Sequence, residues 1–322
     1  MSIDSLHHPG VMIRQFDPSR DVFRLLHFFN FLEMLDGDLY PSTEAHVRSQ
    51  MNWRGHNPTQ DRWVIDHPYD PANIIGHAWI FKQTAKRAAC KIAVHPYWQR
   101  QGLGSSLLPY VLRRAQEMGV NEVVSGCDST DTAALRFLDR HGFQARSSNW
   151  FLLLSAAAPI AEPYWPSPYT VRRYNEIEHL PTLVDILNRC FHDIPGHAEN
   201  EIGVITVESI TGRLGKTLIP EDIFLVYASL NVPVGICGLR LHGRSNNASG
   251  TDILDEPGVV PEHRHQNLYI PLALTAVQWQ RQQSKRDLIL ESYGAAENII
   301  ADYQGLGFQL QSRFIEYGRL IT

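Results

Sequence analysis

The segment from Ile92 to Leu108, IAVHPYWQRQGLGSSLL, sets two glycines and an arginine between an apolar run and a helix-like pattern. Gly102 and Gly104 permit backbone conformations closed to other residues and let a ligand approach the chain closely. Amides at a helix start point outward in positive potential, which suits a phosphate or pyrophosphate. Arg100 adds a fixed positive charge beside them. Two better-known glycine loops do not fit. A dinucleotide fingerprint needs G-x-G-x-x-G, and Leu107 stands where the third glycine belongs; a Walker loop needs a lysine that is absent here. A tight strand-to-helix turn would account for Gly102-Leu103-Gly104 alone. The longer pattern V-x-P-x-x-Q-R-x-G-x-G favours a phosphate cradle.

Such a loop works only if a strand delivers it and a helix follows it. The pattern predicts a strand over Ala89–Val94 and a helix over Ser105–Met118, with Leu108, Val111, Leu112 and Ala115 on one face. Pro109 conflicts with that helix unless it lies near the first turn. Upstream, Val22–Leu35 predicts a helix whose stripe is Phe23, Leu26, Phe29 and Leu32, and Arg62–Ile65 and Ile74–Phe81 predict paired strands. Downstream come a buried strand over Val123–Gly126, a helix over Thr132–Arg140 and a final strand over Trp150–Leu154. The second half repeats the order, with a hairpin-like pair over Ile223–Tyr227 and Val234–Leu241. Each half thus predicts a mixed sheet with helices on its faces.

The 322 residues favour two domains at roughly 100–200 residues each. Pro159, Pro163, Pro166 and Pro168 crowd one stretch, as in an extended connector. They predict domains at 1–155 and 169–322 joined by a linker at 156–168. An internal repeat supports the cut. Val94, Pro96, Gly142 and Phe143 recur as Val259, Pro261, Gly307 and Phe308, all 165 positions on. Ile13-Arg14-Gln15 resembles Val171-Arg172-Arg173 at an offset of 158, and Gly76 matches Gly235 at 159. The difference places an insertion in the Gly/Ser/Asn-rich stretch from Gly243 to Gly250.

With 29 basic and 34 acidic residues the formal net charge is −5, a poor balance for binding a nucleic-acid duplex. The run Arg281–Arg286 is expected to be a solvated helix face. Cys90, Cys127, Cys190 and Cys237 lack the short spacings of a zinc site and fit reduced thiols. His192 and His197 flank Pro195 without a third ligand, so no metal is expected. The first ten residues lack the pattern of a signal peptide, and Trp150–Ala161 is too short to span a bilayer. A cytoplasmic protein that does not associate with a membrane is expected.

Around Gln99-Arg100-Gln101-Gly102-Leu103-Gly104 the sequence resembles the GNAT superfamily of N-acetyltransferases, whose loop reads Q/R-x-x-G-x-G/A. The segment looks most like that of the ribosomal-protein alanine acetyltransferases. The family pattern N-x-x-A-x-x-x-Y-x-x-x-G-F continues here as Asp131, Ala134, Leu138, Gly142 and Phe143. The tandem arrangement is similar to that of mycothiol-synthase-like members. The resemblance implies an α/β (α+β) fold of two acyl-CoA N-acyltransferase domains, each a mixed, mainly antiparallel sheet flanked by helices. It implies acetyl-CoA as donor, with amides of Arg100, Gln101, Gly102, Leu103, Gly104 and Ser105 on its pyrophosphate. The backbone of Ile92, Ala93 and Val94 would run beside the pantetheine, with Asp131 as a further cofactor residue. The implied reaction is direct acetyl transfer to a primary amine, on a small molecule or a peptide.

Family members commonly use a tyrosine as acid and often a glutamate as base. Here Leu138 and Gly126 stand at those positions in the first half. The second half is the reverse. Its loop, His263 to Tyr269, puts Asn267 and Tyr269 where the glycines belong, whereas Glu291 and Tyr303 occupy the glutamate and tyrosine positions. Asn tolerates a left-handed turn, but Tyr269 is expected to crowd a pyrophosphate. Asp128 and His95 are further candidate bases; Asp128 could equally start a turn, and His95 could simply be solvated. The catalytic candidates are thus Asp128, Glu291 and Tyr303. The second copy is expected to shape the acceptor site or a homodimer contact. The alternative to an enzyme is a catalytically silent acyl-CoA-binding or sensing protein.

Overall fold

A computed structural model describes residues 11–35, 42–53, 55–194, 205–228, 231–244 and 250–321. The expectations for His197, for the first ten residues and for 245–249 of the insertion lie outside the described residues. The chain divides into two compact units: 1–126 with 142–144 and 317–322, and 127–141 with 145–316.

In chain order the first half runs β1 (Ile13–Gln15), α1 (Pro18–Leu35), α2 (Glu44–Met51), α3 (Pro58–Asp61), β2 (Arg62–Asp66), β3 (Ile74–Lys82), β4 (Arg87–Val94), a 3-10 turn at Pro96–Trp98, α4 (Leu103–Glu117), β5 (Glu122–Asp128), α5 (Thr132–Arg140) and β6 (Gln144–Leu154). The second half runs β7 (Thr170–Arg173), α6 (Leu180–Phe191), α7 (Val207–Thr211), β8 (Ile223–Tyr227), β9 (Pro233–Arg240), β10 (Asp252–Asp255), β11 (Gly258–Val259), a 3-10 turn at Pro261–Gln266, α8 (Tyr269–Gln283), β12 (Leu288–Tyr293), α9 (Glu297–Gly305) and β13 (Gln309–Leu320).

In the first unit β1 to β4 pair antiparallel in sequence order, and β4 pairs β5 in parallel. Neighbouring residues on β2 face opposite sides. Val64 joins Phe28, Leu25 and Val47 in the core under α1 and α2, whereas the Trp63 ring meets Tyr110 of α4. The unit is therefore a sheet covered by helices on both faces. The second unit orders β6, β12, β10, β9, β8 and β7, parallel only between β12 and β10. Its core gathers α6, α8 and α9 on the sheet.

The repeat is visible element by element. Helices α5 and α9 are related by 165 positions at both ends, as are α4 and the Leu268–Gln282 span that all but coincides with α8. The strand β4 maps onto Asp252–Val259, which is β10 and β11 separated by Glu256-Pro257. Gly76 faces Ile65 and Gly235 faces Val226, each beside a register shift in the same pair of strands. A Cβ on Gly76 would come within 2.8 Å of Ile65, and one on Gly235 within 3.0 Å of the Gly258 carbonyl, so close approach explains both glycines.

Some expectations are revised. The buried stripe of α1 is Val22, Leu25 and Phe28; Leu26, Phe29 and Leu32 are only partly buried, and Phe23 is 55% exposed. The predicted stripe was displaced by one position because apolar residues fill both sides of that helix. Pro109 lies inside α4, beyond its first turn, on an exposed position. The units are drawn differently from the expected boundary at 156–168. Strand β6 pairs antiparallel with β12, from Asn149 with Tyr293 to Leu154 with Leu288, so most of that strand belongs with the second unit. The proline-rich stretch carries no helix or strand, and its Ala158, Ile160 and Trp165 pack on the second unit's core. All four cysteines are buried free thiols. Among the described residues, no helix is long and apolar enough to cross a membrane.

Candidate functional site

The predicted cradle forms as a continuous turn in the first unit. The ladder between β4 and β5 runs from Arg87 with Glu122 to Ala89 with Val124 and stops there. Strand β4 continues to Val94 beside β3, so the backbone of Ile92 to Val94 lines a notch beyond the last β5 pair. His95 donates its amide to the Ile75 carbonyl (2.8 Å), and the Gln99 side chain donates to the Val94 carbonyl (3.1 Å), which together pin the strand end. Gln101 donates to the Tyr97 carbonyl (3.3 Å). Arg100 (φ 63°) and Gly102 (φ 84°) both take the left-handed conformation. That sharp reversal starts α4 at Leu103, and no side chain caps it. Gly104 and Ser105 lie in its first turn, and Leu103 turns its side chain into the core. The arrangement presents a partly covered helix N-terminus, with exposed Arg100 in the turn that leads into it.

The second copy keeps the turn and fills the notch. Asn267 takes the place of Gly102 and is likewise left-handed, at φ 52°. Arg264, equivalent to Gln99, donates to the Val259 carbonyl (3.0 Å) and so pins the same strand end. The difference lies behind the loop. Tyr269 does not stand out into a ligand's path: its ring turns inward, edge-on to Tyr303 at 5.8 Å, and its hydroxyl bonds Asp302 of α9. Glu256, where β10 and β11 part, accepts the Tyr293 amide at the end of β12 (3.1 Å). One cross-link ties α8 to α9 and the other ties the two strand ends. Burial raises the Glu256 carboxyl to about 7, although the Tyr293 amide favours its charge.

The catalytic and polar candidates have other occupations. Asp128 accepts the amide and the hydroxyl of Thr130 (2.8 and 2.7 Å), which makes a local turn. Asp131 caps α5 by accepting the amides of Ala133 and Ala134 (3.1 and 2.9 Å). Glu291 is held by Arg240 at 2.6 Å, and Arg240 also reaches Asp255. The Tyr303 hydroxyl is fully buried with no partner among the described residues; burial and the Glu256 charge push it well above the usual phenol range. Leu138 is a core residue. His95 is half-buried, its ring stacked on Phe31 at 4.4 Å, and burial together with the charge of His67 keeps it below the usual imidazole value. His192 bonds the Arg189 carbonyl, and the described residues hold no cluster of metal-ligating side chains.

One pair of tethers escaped the sequence. Buried Asp61 accepts from Arg114 of α4 (2.7 Å), and buried Asp222, its counterpart 161 positions on, accepts from Trp279 of α8 (2.8 Å). The partners themselves lie 165 apart, so each copy ties the start of a strand to its loop-following helix, although the donor has changed type. Beside them run grooves of about 400 Å³ and 280 Å³, on the backs of α4 and α8.

The model of the acetyltransferase (GNAT) family matches residues 26–143, a span that contains the whole loop. Residues 26–143 thus carry an acetyltransferase domain of the GNAT type. It is similar to the mycothiol acetyltransferases of Saccharopolyspora erythraea (24% identical, 74% of this chain and 78% of the relative) and Saccharomonospora viridis (23%, 72% and 74%). Its fold is that of a GCN5-related N-acetyltransferase from Sphaerobacter thermophilus, with a TM-score of 0.69 at 18% identity over 97% of this chain and 96% of that one. A tandem GNAT protein from the clavulanic acid biosynthesis pathway superposes with a TM-score of 0.61 at 13% identity over 97% and 99%. The chain carries an acetyltransferase domain and has the fold of tandem GNAT proteins.

Proposed function

We propose that the chain moves an acetyl group from acetyl-CoA to a primary amine by direct transfer, with the donor held by the first unit. One observation carries the assignment: the first copy presents the left-handed turn at Gly102 and an α4 start without a side-chain cap, while the second closes its equivalent notch. Amides of Arg100 to Ser105 would hold the pyrophosphate, and Ile92 to Val94 would flank the pantetheine. The bound donor supplies an activated thioester. The acceptor nitrogen attacks its carbonyl carbon, the C–S bond breaks, the nitrogen gives up one proton to solvent, and the thiolate takes one up.

No acid or base of the usual family type stands at Leu138 or Gly126. We assign the first unit the work of binding and alignment, with the amine arriving deprotonated and the thiolate protonated by solvent. Asp128, Glu291 and Tyr303 are not given proton-transfer roles, because each is otherwise engaged or enclosed. The name shared by the curated relatives makes mycothiol-type amines the first acceptors to test. Thiol release from acetyl-CoA against a panel of primary amines tests the proposal. Amine-dependent release that disappears in Gly104→Tyr is expected, and release that persists in that variant overturns the site.

A further inference from the structure

The face of the first unit's sheet that carries Ala93 holds a cluster of buried cationic and imidazole groups with unmet hydrogen-bonding capacity. The register sets Arg62 beside Trp79 and Trp79 beside Lys91, with Val64, His77 and Ala93 as the next row. Arg62 has no exposed surface. Its Nε donates to His56 Nε2 (2.9 Å), its Nη2 makes only long contacts with Gln50 (3.4 and 3.5 Å), and its Nη1 has no partner among the described residues. Because His56 Nε2 accepts, its proton sits on Nδ1, which faces Asp61 at 3.4 Å. Buried His77 leaves Nε2 without a partner, and burial followed by the charges of Arg62 and Lys91 keeps it neutral.

Among the described residues the charge here is one-sided. Asp61 is the carboxylate whose charge bears on Arg62, and it is already taken by the Asn57 amide (2.7 Å) and Arg114 (2.7 Å). Lys91 is exposed two residues beyond the last β4–β5 pair, at the notch assigned to the donor. Half-buried rings roof the cluster: Trp53 meets Trp79 at 5.4 Å and Phe81 at 5.3 Å, and the Arg62 guanidinium lies 5.7 Å from the Trp53 ring centre. Desolvating a guanidinium without a full set of acceptors is costly, and a bidentate carboxylate would relieve that cost better than any of its described neighbours.

We propose that this cluster binds the carboxylate of the acceptor, so that the acceptor is an amine of the amino-acid class, with Arg62 on its carboxylate and Trp53 and Trp79 against its side chain. The proposal rests on the donor assignment above. Entry of the carboxylate displaces the Trp53 ring, and Lys91 guides it from the surface. Cationic surroundings also favour the neutral form of the reacting amine, which suits a unit without a dedicated base.

The test uses the full chain, acetyl-CoA and matched pairs of the common amino acids and their α-amides, with rates referred to the concentration of free amine. Acetyl-CoA binding is measured first on each variant by calorimetry, so that loss of the donor site is recognised separately. At least one amino acid is expected to exceed its amide in kcat/KM by about ten- to hundredfold. Arg62→Met should raise KM for that acid by a similar factor, with kcat and the KM of the amide held within about twofold. Lys91→Gln, an exposed change that leaves the core intact, should raise KM for the acid about two- to fivefold and not that of the amide. The proposal is overturned if no acid is preferred, or none is turned over, by protein that binds acetyl-CoA. It is also overturned if Lys91→Gln fails to separate acid from amide, or if folded Arg62→Met affects both alike.

Discussion

Glu256→Gln tests whether the second copy has closed its notch. In the wild type the carboxyl accepts the Tyr293 amide at the parting of β10 and β12, and burial raises it from 4.5 to about 7. A raised carboxyl pKa means that the folded state holds its proton more tightly than the unfolded one. Stability from this group is therefore full below about pH 4.5 and is lost as pH rises towards 7. A shift of this size corresponds to about 3 kcal/mol for a fully buried group, and the partial exposure of Glu256 reduces the expectation to about 2 kcal/mol. Glutamine keeps the acceptor for Tyr293 and removes the titration. Urea unfolding followed by circular dichroism, for both proteins at pH 5 and pH 8, should show the variant gaining about 2 kcal/mol on the wild type between the two conditions. A difference that stays flat across that range refutes the reasoning, because an open, solvated Glu256 would titrate alike folded and unfolded.

Three further outcomes follow from other tethers. Asp61→Asn removes the charge that holds Arg114 (2.7 Å) and should cost about 2 kcal/mol in chemical denaturation, with a smaller loss in an Arg114→Gln background. Burial opposes ionisation of Asp21 and Asp66, but Arg14 and Arg24 outweigh it and hold both carboxyls below the usual range. Their stabilisation is complete above about pH 4 and is lost as pH falls below it; a melting-temperature series from pH 7 to pH 2 should drop there, and less steeply in Asp66→Asn. Gly258→Ala drives a methyl to within 2.6 Å of the Phe191 ring and 2.8 Å of Cys190, so it should destabilise by about 1–3 kcal/mol in thermal unfolding.

The strand–loop–helix of the cradle was legible because its backbone needs are written in residue types: glycine at a left-handed position, apolar alternation before it and helical spacing after it. The constant offset of 165 read from Val94, Pro96, Gly142 and Phe143 also relates α5 to α9 at both ends. Polar side chains were legible only when their partners lay nearby in sequence. A turn at Asp128 stood as the alternative to its role as a base, and its partner Thr130 is two residues away, whereas the Arg240–Glu291 pair spans 51 positions. Tyr269 was expected to obstruct from outside, and its inward turn depended on Asp302 and Tyr303 across the core. Arg62 gave no signal, since a basic residue at the start of a strand, after Asp61, is ordinarily placed at a surface. The α1 stripe was displaced because Phe and Leu populate both sides of that helix, and the pattern alone does not say which side meets the sheet.

The central claim is that one copy holds the donor and the other has closed against it. Calorimetric titration of acetyl-CoA into the full chain tests it most directly. The account predicts one equivalent bound per chain, lost in Gly104→Tyr and retained when Arg264 of the second loop is changed to Gln. Two equivalents per chain, or binding that survives Gly104→Tyr and disappears with Arg264→Gln, would contradict it.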